Sequence, residues 1–166
     1  LIFIFSQEKT MVTDHEKVGN RAWLWGLTTL CLTMGIYEMV EESSATLTLQ
    51  IGRQFYITLK KELDPFLVDE KPEDVLQKVG NFFIDHYGIA SGVTVERIEN
   101  TVKMTFKDAI GTAEYAILRD RGVKNAFSHP FLCVGLAMLE KKGLRSRTRV
   151  ELDTASNTTI ISYDLM

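Results

Sequence analysis

Apolar residues in this chain change period several times, and the order of the changes restricts the fold more than any single motif. Three stretches with apolar residues three and four apart come first, as amphipathic helices require. A pair of short period-two stretches follows, then one more helical stretch and a closing pair of strands. Helices and hairpins segregated in this way point to an α+β domain. The expected order is αααββαββ, with three N-terminal helices plus one later helix packed as a layer on a four-stranded antiparallel sheet.

From about His15 to Glu42, Trp23, Leu27, Leu30, Met34 and Tyr37 recur at helical spacing, and Leu24 and Cys31 widen the stripe. The pattern predicts a helix with a broad buried face. Ser43-Ser44 interrupts it and can cap the next helix, over roughly Ala45 to Leu63. There Leu47, Ile51, Phe55, Leu59 and Leu63 fall at every fourth position, until Asp64-Pro65 stops the helix. Gly52 sits in the middle of this helix, where it costs about 1 kcal/mol relative to alanine. That cost predicts a close approach at Gly52, by another helix backbone (the first helix being the expected neighbour) or by a ligand.

Pro72-Glu73-Asp74 opens a third helix with proline in its first turn and acids at the positive end of the dipole. Val75, Leu76, Val79, Phe82, Phe83 and Tyr87 give its apolar face, and Gly88 can close it. Residues 93–98 and 102–107 then read as a hairpin with Val102, Met104 and Phe106 inward. Ala113 to Leu118 suits a short helix, followed by an exposed Arg119-Asp120-Arg121-Gly122 loop. His129-Pro130 opens the last helix, which is apolar nearly all round and should be heavily buried before Gly143 ends it. A second hairpin covers residues 147–153 and 158–165.

A chain of 166 residues, 45% of them hydrophobic, suits one domain over residues 15–166. Residues 1–14 are set apart as an N-terminal extension, in which Leu1-Ile2-Phe3-Ile4-Phe5 reads as a non-native remnant or an interface strand. That run is far shorter than the roughly 20 residues of a membrane span and lacks the flanks of a signal peptide. The chain therefore reads as soluble and cytoplasmic. A net charge of −3 argues against nucleic acid as a partner. Lys141, Lys142, Arg145, Arg147 and Arg149 read as a solvated helix end and strand face, the alternative being a patch for nucleic acid or acidic lipid. Cys31 and Cys133 lie in apolar stretches and read as small buried hydrophobes.

No constellation here carries a reaction. Asp64, Asp69, Glu70, Glu73 and Asp74 read as a solvated loop and helix start, not as a paired acid and base. Ser128-His129 lacks a nucleophile elbow, and His15, His86 and His129 are not spaced as metal ligands. The expectation is a protein that is not an enzyme and holds no metal or cofactor. What remains is apolar surface. Trp23, Phe55, Phe82 and Phe131 are candidate walls of a ligand site, with Arg53 and His86 as its polar anchors. The alternative is that the aromatics are simply core.

Leu49-Gln50-Ile51-Gly52-Arg53-Gln54-Phe55, the Glu73 to Gly88 helix and Phe131-Leu132-Cys133-Val134-Gly135-Leu136 stand in an order that resembles the 4-vinyl reductase (hydrocarbon-binding) domain family. The order is also similar to trafficking-complex subunits of the TRAPP type. The resemblance spans about Trp23 to Leu165, but residues 152–160 lack the cysteine pair usual in the last hairpin of the 4-vinyl reductases. It implies a homodimeric sensor or regulatory module that holds a hydrophobic small molecule or an acyl chain. The alternative it implies is a dimeric adaptor subunit with no ligand. Haem-based sensors of the same broad group would make His86 a haem ligand, yet their Tyr-x-Ser-x-Arg element is missing. Trafficking subunits attach an acyl chain to a first-helix cysteine, and Cys31 lies on the corresponding helix.

Overall fold

The computed structural model describes residues 14–40, 44–68, 71–123 and 129–166, and for residues 14–23, 25, 27 and 44 the backbone alone. Residues 1–13 of the expected N-terminal extension and the cap at Ser43 lie outside the described residues. The helices are α1 (Asp14–Val40), α2 (Ser44–Thr58), α3 (Lys60–Leu63), α4 (Pro72–Tyr87), α5 (Thr112–Asp120) and α6 (Pro130–Lys141). The strands are β1 (Gly92–Ile98), β2 (Thr101–Lys107), β3 (Ser146–Asp153) and β4 (Thr158–Leu165), and a 3₁₀ turn covers Asp64–Val68. This is the expected α+β arrangement, with two refinements. The second helical stretch breaks at Leu59 (φ −105°, ψ 27°), so that a single turn, α3, carries Leu63 into the core. The stretch at 113–118 is a full helix, α5, entered through Gly111 at φ 91°.

The four strands form one antiparallel sheet in the order β1-β2-β4-β3. Val95, Met104, Ile161 and Val150 stand in register across it, as do Val93, Phe106, Thr159 and Leu152. These side chains share one face because strand neighbours alternate sides. Val102, Met104, Phe106, Ile161 and Tyr163 are buried there, each large apolar side chain contributing roughly 1.5–3 kcal/mol. The opposite face is polar, with Lys103 3.7 Å from Glu96 and Arg149 3.1 Å from Asp164. The basic residues Arg145, Arg147 and Arg149 are exposed on this side of β3 and just before it, as a solvated strand face requires.

Helix α6 is the centre of the helical layer. It is buried over Phe131–Gly135 and Ala137–Leu139, between the sheet and α2. Tyr163 rises from β4 to donate its hydroxyl to the Phe131 carbonyl at 3.0 Å, over the bare Cα of Gly135. The seam between α2 and α6 differs from the fourfold stripe read in the sequence. Thr48, Gly52 and Tyr56 are its buried line, while Leu47, Ile51, Phe55 and Leu59 flank it half-buried. Small residues at the contact let two helices approach closely, and larger neighbours then close the sides. Gly52 is that contact point, but its neighbour is α6 and not α1: an added Cβ would lie 2.0 Å from the Cys133 carbonyl oxygen.

Helix α1 overturns the expectation of a broad buried face. Within the chain it touches chiefly α5, and Leu24, Leu32 and Met39 are 57%, 60% and 85% exposed. Cys31 is exposed as well, because no element of the described chain covers that side of α1. Cys133 does match the buried-thiol reading, and burial pushes its pKa up to about 12. No described helix is long and apolar enough to cross a membrane.

Candidate ligand pocket

Beside the contact of α1 with α5 lies a half-open cavity of about 390 Å³. Its roof is one face of α1, formed by Gly26, Thr29, Leu30 and Thr33 at spacings of three and four. Two of these are threonines, and Thr33 returns its hydroxyl proton to the Thr29 carbonyl at 2.8 Å, which keeps the roof apolar toward the space below. Ile89 and Ile110 form one wall, held together by the Ile110 N–H donating to the Ile89 carbonyl at 2.9 Å. Helix α5 gives the other wall with Glu114, Tyr115 and Leu118. The floor is Pro130 and Phe131, at the first turn of α6. A volume of this size falls in the range of about 300–1,000 Å³ typical of small-molecule sites, and its mostly apolar lining is typical too.

His129 stands just behind this floor. It precedes Pro130 as the residue that caps α6 through its backbone, and its side chain is 1% exposed. The imidazole lies 4.7 Å from the Tyr115 ring and 5.5 Å from the Phe131 ring. Neither ring nitrogen has a hydrogen-bond partner among the described residues. Burial alone depresses its pKa to about 3, so the ring is neutral at any ordinary pH.

The six residues singled out in the sequence are not gathered at one place. Phe131 lines the cavity and stacks on Phe106 at 3.9 Å. Phe82 is buried in an aromatic cluster beside it, 5.3 Å from Phe83, which in turn meets Phe131 at 5.8 Å. His86 is exposed at the edge of that cluster, 4.5 Å from Phe82, with its Nδ1 3.1 Å from the Phe82 carbonyl oxygen. Phe55 packs against the core from α2. Arg53 faces α6 and not the cavity; its guanidinium grips the Glu140 carboxylate in two hydrogen bonds, one of 2.8 Å from Nε. That pairing holds the Arg53 pKa above and the Glu140 pKa below its ordinary value. The side chain of Trp23 lies outside the described residues.

The roof and the α5 wall are therefore what the sequence reading missed. A trace of them was present: Gly26, Thr29 and Thr33 are small residues that interrupt the apolar stripe of the first helix. His129 also left one, as a polar residue at the head of an otherwise apolar helix. Among the described residues no group of three His, Cys, Asp or Glu side chains is gathered to hold a metal ion.

The fold and the cavity define an α+β domain whose first helix roofs an apolar pocket. The chain belongs to the family described as "Putative rubredoxin C-terminal domain", whose model matches residues 25–164. That family is not the 4-vinyl reductase family which the order of elements resembles. No curated protein matches the sequence. Among solved structures, it is similar to an Fe(II) unliganded H-NOX protein from K. algicida at 12% identity and a TM-score of 0.47. That match covers 74% of this chain and 63% of the other, so the chain spans less than two thirds of that protein's length. It is likewise similar to a trafficking protein particle complex subunit 3 from Naegleria fowleri, described as covalently bound to palmitic acid, at 12% identity and a TM-score of 0.47. There 84% of this chain and 96% of the other are covered. The fold assignment rests on the chain's own strand register and helix packing.

Proposed function

We propose that this domain is a non-enzymatic binding module that holds a hydrophobic small molecule beneath α1. The observation that carries this reading is the cavity of about 390 Å³ between α1, α5 and the start of α6, walled by Leu30, Ile89, Ile110, Leu118 and Phe131. Water in such a space finds few polar partners, whereas an apolar molecule gains contact with these walls.

Native mass spectrometry after mild purification tests the proposal. A bound apolar molecule should be carried by the native chain and lost from Gly26→Phe, since the Cβ position of Gly26 lines the cavity and meets no atom within 4 Å. The variant should keep its thermal midpoint, because the new ring fills open space. A wild-type protein that binds no apolar probe, with a variant indistinguishable from it, would sink the reading.

A second reading, pairing of two copies as a sensor or an adaptor, is favoured by the uncovered side of α1. No charged residue occurs between Arg21 and Glu38, and Thr28, Cys31, Leu32, Gly35, Ile36 and Met39 line a shallow groove along the helix. Apolar patches left open on a monomer mark contact surfaces. A two-fold axis beside α1 would cover both copies with one self-complementary face. Light scattering should report a dimer at micromolar concentration, and Leu32→Glu with Met39→Glu should return the monomer mass. A monomeric wild type would remove this reading and leave the pocket untouched.

A further inference from the structure

The apolar lining of the cavity carries a single charge. Gly111, Glu114, Tyr115 and Leu118 follow one another at helical spacing and are the face that α5 and the residue before it turn to the space. Glu114 is the only charged side chain on that lining among the described residues. It is exposed as well, so its carboxylate stands where the half-open cavity meets solvent. No described side chain pairs with it. An acid on the first turn of α5 does suit the helix dipole. Position 113 lies on the same turn and would serve the dipole equally, yet it holds an exposed alanine that is off the lining. The dipole therefore accounts for a carboxylate on this turn and not for its place at the cavity.

We propose that the ligand is an amphiphilic organic cation, whose apolar body enters among Leu30, Ile89, Ile110 and Phe131 while its ammonium group stays at the mouth on the Glu114 carboxylate. This rests on the binding reading above. An open mouth lets the ammonium keep part of its water, so the body is buried without the cost of taking an ion out of solvent. The ammonium N–H groups donate to the carboxylate in charge-assisted hydrogen bonds. An anion such as a fatty acid would meet a like charge there, and a neutral alcohol would gain a hydrogen bond without the charge attraction. Arg119 on the last turn of α5 and Arg121 at its end do not line the cavity, so no basic side chain of the lining competes for Glu114.

The test compares 2-(1-naphthyl)ethylamine, 2-(1-naphthyl)ethanol and 1-naphthylacetate, which share one fluorescent body and present a cation, a neutral hydroxyl and an anion at pH 7. At low ionic strength the wild-type chain should bind the amine about fivefold more tightly than the alcohol, the worth of a good ion pair at a solvated site, and the acid most weakly. In Glu114→Gln the preference for the amine should vanish, since the charge has gone and the shape has not. Glu114 is exposed, so this variant should keep its fold and thermal midpoint. Glu62→Gln removes an exposed carboxylate of α3 that does not line the cavity, and it should keep the preference. Equal affinity for amine and alcohol, or a preference that survives in Glu114→Gln, overturns the cation and leaves the pocket standing. A preference lost in Glu62→Gln as well would trace to net charge and overturn it too. Failure of all three probes to bind overturns the pocket reading together with the cation.

Discussion

Gly52→Ala should destabilise the domain by about 3 kcal/mol, the upper end of what overpacking a core usually costs. The new methyl carbon would lie 2.0 Å from the Cys133 carbonyl oxygen and 2.7 Å from its carbon, with the Ala137 Cβ at 3.3 Å. Two of those atoms are backbone of α6, held by the helix's own hydrogen bonds, so no rotamer change relieves the clash. The helices must part, and parting strips cover from Thr48 and Tyr56 and stretches the Arg53–Glu140 pair. Alanine's better helix propensity returns about 1 kcal/mol and is included in the net figure. For a domain of this size the thermal midpoint should fall by about 10 °C. Urea unfolding should show a lower midpoint at unchanged slope. Gly26→Ala serves as the comparison, because its Cβ meets nothing within 4 Å and the same propensity gain should appear there as a modest stabilisation. Should Gly52→Ala behave like Gly26→Ala, the α2–α6 seam is looser than the structure has it.

The contrast between these glycines also shows what the sequence could disclose. Patterns set by local geometry were legible: Gly88 closes α4 at φ 63°, Pro130 opens α6, and the alternation of Val102, Met104 and Phe106 gives the inward face of β2. The cost of Gly52 inside a helix was legible too, as a demand for close approach. Its partner was not, because periodicity describes a face and not what meets it. For α1 the same limit gave a wrong expectation. An apolar stripe with Leu24, Cys31 and Met34 predicts burial, yet nothing in its spacing separates a face turned to the core from one left open to another molecule. Arg53 illustrates the other side of the problem. An arginine near an apolar stripe reads as a ligand anchor until its partner is known, and Glu140 lies far from it in sequence. The pocket was hidden for the same reason, since its roof, walls and floor come from α1, the segments before α5, α5 itself and α6.

Lowering the pH should unfold the domain earlier than its carboxylates alone would. His129 titrates near 6.5 when exposed but near 3 in the fold, with burial as the cause. Between those values the unfolded chain binds a proton that the folded chain refuses, so stability rises with pH. The contribution is complete above about pH 6.5 and drains away as the pH falls toward 3. The slope is about 1.4 kcal/mol per pH unit, which removes on the order of 3 kcal/mol by pH 4. The carboxylates of Asp64, Glu140, Asp153 and Asp164 are held below their ordinary values by hydrogen bonds and basic partners. Their share is present above the ordinary carboxylate range of about 4 and is lost only below it, so the window from about pH 4.5 to 6.5 belongs to the histidine. Urea unfolding at several pH values within that window should show the slope in the wild type and a nearly flat profile in His129→Phe. Stability at pH 7 should be no lower in the variant, because two unpartnered nitrogens have gone. Equal slopes in the two proteins would mean that the ring is solvated in the native state.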